Sequence, residues 1–215
     1  MADPTEKPED ALERQAARHR DVEHRVKNTL QLISSIVLLQ GRRTGDEGAR
    51  LALRGVQQRV AAVSVAHRHV DWIDDSEKVQ LAPLIREIVG DLAGSAGRDD
   101  VAIDLDLDAV TIAARQAAPV ALLVSEAVGN ALRHAYPDGR AGRIRVSLRR
   151  KEGSFDLSVA DDGVGMGEGK PASGFGLTVA QLMAQQLRGK LVTDDAQPGL
   201  RLSVSVPMEP DAPRG

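Results

Sequence analysis

Residues 23–31 read EHRVKNTLQ and lie in the middle of the longest helical pattern in the sequence. At about 100° per residue, one set of mostly apolar positions falls on a single side of this helix. The set is Val22, Val26, Thr29, Leu30, Ile33, Val37 and Gln40. His24 falls nearly opposite, together with Asn28, Gln31 and Ser35. The histidine is therefore predicted to face water, where an isolated histidine is most often an ordinary surface residue.

The longer string EHRVKNTLQLISSIVLLQ, residues 23–40, gives His24 a wider context. It resembles the phospho-acceptor box of the HisKA_2 and HWE-type bacterial sensor histidine kinases, in which a histidine before Arg-Val-Lys-Asn is phosphorylated. The resemblance implies that His24 accepts a phosphoryl group. Many of these kinases have an acidic residue directly after the histidine as its base, whereas this chain has Arg25. The available carboxylates are Glu23 and Asp21, and we expect one of them to take the imidazole proton.

Composition limits the other classes of function. A chain of 215 residues with 42% hydrophobic residues suits two small domains. The net charge of −3 argues against nucleic acid or an anionic membrane as the main partner. The absence of cysteine excludes disulfides and thiolate metal sites. No apolar run approaches about 18 residues, so we expect no membrane insertion, a cytoplasmic location and a signal delivered by a separate sensory partner or a diffusible ligand.

The first domain is predicted to be a helical hairpin over residues 9–70, after a disordered lead at residues 1–8. Glycines in GRRTGDEG, residues 41–48, mark the turn, and a second helix follows to about Val70. The seam of this second helix comprises Leu53, Val56, Val60, Val63, His67 and Val70. His67 is expected to be buried on that seam. Because a two-helix hairpin has too little core to stand alone, two hairpins are expected to pair into a four-helix bundle, which makes the protein a homodimer.

The second domain is predicted to be an α+β sandwich over residues 84–207, joined by an acidic linker at residues 71–83 and followed by a tail at residues 208–215. Helices should cover one face of a mostly antiparallel sheet. The predicted elements are a helix at 84–93, a strand at 101–108, an apolar helix after Pro119, strands at 143–150 and 154–161, a helix at 177–187, and strands at 190–195 and 200–206.

Three groups of residues in this domain indicate a ligand site. Glu126, Asn130 and His134 recur at i, i+4 and i+8, forming a polar line on an apolar helix. Glu126 and Asn130 offer oxygen ligands for magnesium, and His134 or its neighbour Arg133 can face phosphate. A solvated helix edge is the alternative explanation of this line.

The second group is Asp161 at a strand end, followed by Gly163 and Gly165. A carboxylate there can accept a hydrogen bond from an adenine amino group, and the glycines allow a close approach of the backbone. The third group, Gly174, Gly176 and Leu177, opens a helix whose N–H groups favour phosphate.

In this order and spacing, the three groups resemble the N, G1 and G2 boxes of the GHKL, or Bergerat, ATPase family. The resemblance implies that ATP and Mg²⁺ are bound, with Asn130 on magnesium, Asp161 on adenine, and Gly174 and Gly176 beside the phosphates. With the histidine box, it implies a kinase that phosphorylates His24 and passes the phosphate to an aspartate of a response-regulator receiver domain. Two alternatives remain open. SEAVGNALRHAYPDG, residues 125–139, is also similar to anti-sigma-factor serine kinases, and a non-catalytic histidine phosphotransferase or adaptor would have the same two domains.

Overall fold

The computed structural model describes residue 26 and residues 28–73, 76–165 and 175–208. The chain divides into two compact units, Met1–His67 and Arg68–Gly215. The first unit contains a helix described over residues 28–43 (α1) and most of a second helix, Glu47–Arg68 (α2). The expected hairpin elements are therefore present, while the expected start of the first helix at residue 9 lies outside the described residues.

The turn between α1 and α2 is shorter than the glycines suggested. It comprises only residues 44–46, so Gly41 and Gly48 belong to the helices. Asp46 caps α2, because its Oδ1 accepts a hydrogen bond from the backbone N–H of Ala49 at 3.0 Å. A side-chain acceptor at this position starts the helix directly, without a glycine-rich loop.

The end of α2 also differs from the expected seam. The helix ends at Arg68 rather than near Val70, and its buried residues are Ala62, Val65 and Ala66. His67, expected to be buried, is exposed. The buried face at the end of α2 is thus rotated away from the seam, and His67 lies about 100° further around the helix than Ala66.

The described residues of the second unit form two sheets and three helices. In chain order its elements are β1 Val70–Ile73, β2 Ser76–Gln80, α3 Leu81–Ala96, β3 Val101–Leu107, β4 Thr111–Ala113, α4 Ala114–His134, β5 Gly142–Lys151, β6 Ser154–Asp161, α5 Phe175–Gln186, β7 Lys190–Asp195 and β8 Leu200–Pro207, with one 3-10 turn at Pro137–Gly139.

The larger sheet has the strand order β3-β5-β6-β8-β7. β3 and β5 are parallel, and the other neighbours are antiparallel. Alternate residues on the three central strands are buried, and each contributes roughly 1.5–3 kcal/mol by leaving water. They are Ile144, Val146, Leu148, Phe155, Leu157, Val159, Leu202, Val204 and Val206. The expected α+β architecture, with a mostly antiparallel sheet, is confirmed.

The expected linker at residues 71–83 is not irregular chain. β1 and β2 pair with each other, and β2 pairs with β4 to form a separate three-stranded sheet. Val79 on β2 is fully buried opposite Ile112 on β4, so burial stabilises a pairing that the local pattern did not reveal. α3 follows at once from Leu81, because a proline such as Pro83 is tolerated in the first turn of a helix.

The central helix α4 begins at Ala114, five residues earlier than expected from Pro119. Pro119 is buried inside it. A proline at this position removes one backbone hydrogen bond, and the strongly apolar face of the helix outweighs that loss.

Candidate functional site

α4 presents the polar line that the sequence indicated, but its members differ in exposure. Glu126 is only 5% exposed, whereas Asn130, Arg133 and His134 are exposed. Asn130 is therefore the member of the line whose amide oxygen is most accessible to a metal ion. Among the described residues, no group of three histidine or acidic side chains surrounds a common point, so a magnesium ion here would need further oxygen ligands from phosphate or water.

Arg133 and His134 differ in charge. Partial burial of the ring and the neighbouring Arg133 charge lower the pKa of His134, so the imidazole is neutral near pH 7. The guanidinium of Arg133 lies along its own helix, because a Cβ at Gly129 would be 3.0 Å from its Nη1. Of the two residues expected to face phosphate, Arg133 is therefore the cation.

The buried Glu126 lies beside the first turn of α5. A Cβ at Gly176 would be only 2.6 Å from Oε2 of Glu126, so a side chain at position 176 would displace the carboxylate. A negative charge at the N-terminal end of a helix is favourable, because the N–H groups and the helix dipole point towards it. The structure thus brings together Glu126 and Gly176, which are far apart in sequence. Leu177 follows in the same turn and is half-buried.

Asp161 is the last residue of β6 and is 9% exposed. Its Oδ1 accepts hydrogen bonds from the backbone N–H of Gly163 at 3.0 Å and of Leu200 at 3.2 Å. Within the described part of the chain, Oδ2 has no hydrogen-bond partner and stays available to a ligand. Burial raises the pKa of Asp161 above its ordinary value of 3.8, although the two backbone hydrogen bonds oppose that shift.

The loop after Asp161 is held against the end of α4. A Cβ at Gly163 would lie 2.3 Å from the carbonyl oxygen of Ala135, so only glycine fits there. The same carbonyl accepts a hydrogen bond from the N–H of Val164 at 2.9 Å. Gly165 follows with φ of +67°. The Asp161 loop, defined here as residues 161–165, therefore has its position set by the backbone that follows α4.

Sequence reasoning missed one side of this loop. A Cβ at Gly199, in the turn between β7 and β8, would lie 1.9 Å from the carbonyl oxygen of Asp161. The φ of Gly199 is +99°, which also favours glycine. The turn signal Gln197-Pro198-Gly199 was visible in the sequence, but nothing local connected it with Asp161.

Four of the residues singled out from the sequence are not covered by the structure. His24, Glu23, Asp21 and Gly174 lie outside the described residues. The residues that are described fit an adenine nucleotide in one respect, because the open carboxylate oxygen of Asp161 suits an amino group. The first turn of α5 lies against the Glu126 carboxylate.

Two known families match this chain. The sequence model for HisKA_2, described as histidine kinase, matches residues 21–96. The model for the histidine kinase-like ATPase domain matches residues 75–202, which is more than half of the chain. The chain belongs to the histidine kinases.

Individual relatives have the same family name. Sensor histidine kinase PdtaS of Mycobacterium tuberculosis is 29% identical over 184 residues, which cover 83% of this chain and 36% of that protein. Blue-light-activated histidine kinase 2 of Erythrobacter litoralis is 27% identical over 205 residues, which cover 92% of this chain and 58% of that protein. The chain thus spans between about a third and three fifths of the length of these relatives.

Solved structures show the same fold. The histidine kinase domain of the blue-light-activated histidine kinase EL346 from Erythrobacter litoralis superposes with a TM-score of 0.68 at 20% identity, covering 87% of this chain and 94% of that domain. None of the helices described for this chain combines the length and apolar character that a membrane span requires.

Proposed function

We propose that this histidine kinase transfers the γ-phosphoryl group of MgATP to His24 and then to an aspartate of a response-regulator receiver domain. The observation that carries the proposal is the buried Asp161 carboxylate, whose Oδ1 accepts two backbone hydrogen bonds while Oδ2 stays available. Such a carboxylate suits the amino group of adenine. The HisKA_2 match over residues 21–96, which include His24, supports the phospho-acceptor half of the proposal.

The residues of the second unit have distinct parts in this proposal. Asp161 accepts a hydrogen bond from adenine, with Gly163 and Gly165 beside the base. Asn130 binds magnesium from the exposed side of α4, and Glu126, one turn earlier, completes the metal shell directly or through a water molecule. Two sets of residues take the phosphates: the glycines of the third group, Gly174 and Gly176, and the cation Arg133 on α4.

The chemistry at His24 needs little from the protein beyond positioning. A neutral imidazole is a competent nucleophile near pH 7, and MgATP supplies the phosphoryl group and the metal charge. Glu23 or Asp21 accepts the ring proton. Holding the two reactants in line then accounts for most of the rate, because in-line transfer depends on orientation.

A homodimer is part of the proposal because α1 carries a second apolar stripe. Leu32, Ile36 and Leu39 are 61%, 50% and 57% exposed, and their spacing puts them on one side of the helix. We propose that a second copy of the chain covers them, since an exposed apolar stripe of this kind usually marks an interface. Because ATP is a cytoplasmic substrate, we propose that the protein acts in the cytoplasm, with its signal supplied by a separate sensory partner.

Incubation of the whole chain with γ-labelled ATP and Mg²⁺ tests the function. We expect an acid-labile, alkali-stable label that His24→Ala abolishes and that the control His67→Ala, in the same unit, leaves unchanged. A label that survives His24→Ala would refute the proposal, and an acid-stable label would favour the serine kinase alternative. ATP binding without any label would favour a non-catalytic adaptor.

A further inference from the structure

The tyrosine of this chain lies directly beside the Asp161 loop. Tyr136 follows α4 by two residues and is 2% exposed. Its ring occupies the space beside Gly142, where a Cβ would lie 1.9 Å from Cε1 of the ring. The hydroxyl group donates a hydrogen bond to the carbonyl oxygen of Arg143 at 2.7 Å. Burial, followed by the interaction with Asp162, raises the pKa of Tyr136, so the hydroxyl keeps its proton and remains a donor.

The backbone of Arg143 is in turn hydrogen-bonded to the Asp161 loop. Its N–H donates to Oδ1 of Asp162 at 2.7 Å, and its carbonyl oxygen accepts from the N–H of Asp162 at 3.2 Å. The carbonyl oxygen of Arg143 thus accepts from both Tyr136 and Asp162. Because Asp162 directly follows Asp161, any shift of this peptide moves the residue that we assign to adenine.

These contacts make the segment after α4 a support on two sides of the loop. Ala135 holds Gly163 and Val164, while Tyr136 holds Asp162 through Arg143. The two hydrogen bonds to Asp161 Oδ1 tolerate only small changes in direction, since hydrogen bonds weaken steeply when they bend. The hydroxyl group of Tyr136 is linked to the peptide that follows Asp161 through Arg143 and Asp162.

We propose that Tyr136 is a positioning residue for purine specificity, acting through Arg143 and Asp162 to aim the Asp161 carboxylate at the amino group of adenine. This inference rests on the proposed adenine nucleotide site. Inosine diphosphate (IDP) has a carbonyl group where adenosine diphosphate (ADP) has that amino group. A carboxylate oxygen held in this direction should bind IDP more weakly than ADP, because the carbonyl group of IDP offers it no hydrogen. A carboxylate that is free to turn should discriminate less between the two nucleotides.

The test is to measure Mg²⁺-dependent binding of ADP and of IDP to the whole chain by calorimetry. We expect the wild type to prefer ADP by at least about tenfold, as the loss of a hydrogen bond to a charged group implies. Tyr136→Phe should reduce that preference about fivefold, which corresponds to the typical net contribution of one neutral hydrogen bond. Ser205→Ala, which removes a hydroxyl group opposite Asp156 on the same sheet, should keep the wild-type ratio.

The ratio separates positioning from folding. A variant that is merely less stable binds both nucleotides less well and keeps their ratio, and this result for Tyr136→Phe would overturn the inference. Should Tyr136→Phe fail to fold, Asp162→Ala removes the side-chain acceptor of the Arg143 N–H, on the other side of the same residue, and should reduce the preference in the same way. An unchanged ratio there would also overturn it. A wild type without any preference for ADP would instead refute the proposed adenine site, and the inference with it.

Discussion

If Asp161 binds adenine as proposed, its replacement by asparagine should reverse the purine preference of the site. In the native chain Oδ1 accepts from Gly163 and Leu200, and Oδ2 is left for the ligand. The asparagine oxygen can keep both backbone bonds, while its NH₂ group takes the position of Oδ2. The variant therefore changes the outward-facing atom from an acceptor to a donor and leaves the inner contacts in place.

The magnitudes follow from those contacts. Because both backbone N–H groups keep an acceptor and a buried charge is removed, the free energy of unfolding should change by less than about 1 kcal/mol. ADP loses a hydrogen bond to a charged acceptor, worth roughly 1.5–3 kcal/mol, so its affinity should fall more than about tenfold. IDP gains a donor opposite its carbonyl group and should bind at least as tightly as ADP.

Calorimetry with both nucleotides, together with thermal unfolding, measures these effects on the whole chain. Asp161→Ala serves as the comparison, because it removes the two inner bonds as well and should destabilise the fold without creating any preference for IDP. If Asp161→Asn bound ADP with wild-type affinity, the assignment of this carboxylate to adenine would be wrong.

The same carboxylate predicts a pH dependence. Because burial raises its pKa, Asp161 takes up a proton at a higher pH than an ordinary aspartate with a pKa of 3.8. A neutral carboxyl group is the weaker acceptor for an amino group. The affinity for ADP should therefore fall on acidification before pH 3.8 is reached, and Asp161→Asn should not show this fall.

Three further changes test the loop after Asp161, the proposed dimer and one ion pair of the fold. Gly163→Ala should destabilise the protein by roughly 1–3 kcal/mol in thermal unfolding, because its Cβ would lie 2.3 Å from a backbone carbonyl oxygen. Ile36→Glu should convert the proposed dimer into a 23.0 kDa monomer in light scattering, while the control Gln31→Glu, on the other side of α1, should remain a dimer. Arg68 lowers the pKa of Glu87 below 4.5, so Glu87→Gln should destabilise the fold by less than about 1 kcal/mol at pH 7, and the difference in melting temperature should vanish as pH falls through the lowered pKa.

The large sheet could be predicted from sequence because its signal is local. RIRVSLRR and SFDLSVAD alternate between apolar and polar residues, and the alternate residues are the buried ones. The three-stranded sheet gives no such signal. Its strand β4 has only three residues. It pairs with β2, although a helix and another strand lie between the two in the sequence. Pairing between distant short segments is decided by burial of residues such as Val79, which a single sequence does not reveal.

The residues of the candidate site likewise fall into two groups, those that a local sequence signal revealed and those that it did not. Asp161, Gly163 and Gly165 could be singled out because a carboxylate and two glycines follow one strand. Leu200 and Gly199 could not, because they approach from the turn of another hairpin. The exposure of His67 was mispredicted for a related reason: the seam pattern was extended to the end of α2, where the buried face has rotated.

The contacts around Asp161 also explain why few side chains of this loop need a particular identity. The loop is held by backbone groups at Gly163, Val164 and Leu200, and any residue except proline provides a backbone N–H. A particular side chain is required at three kinds of position. They are the carboxylate that accepts hydrogen bonds, the Tyr136 hydroxyl group that donates one, and the glycines that leave room for a neighbouring atom. A loop supported mainly by backbone can keep its shape while most side chains change, which agrees with a TM-score of 0.68 at 20% identity.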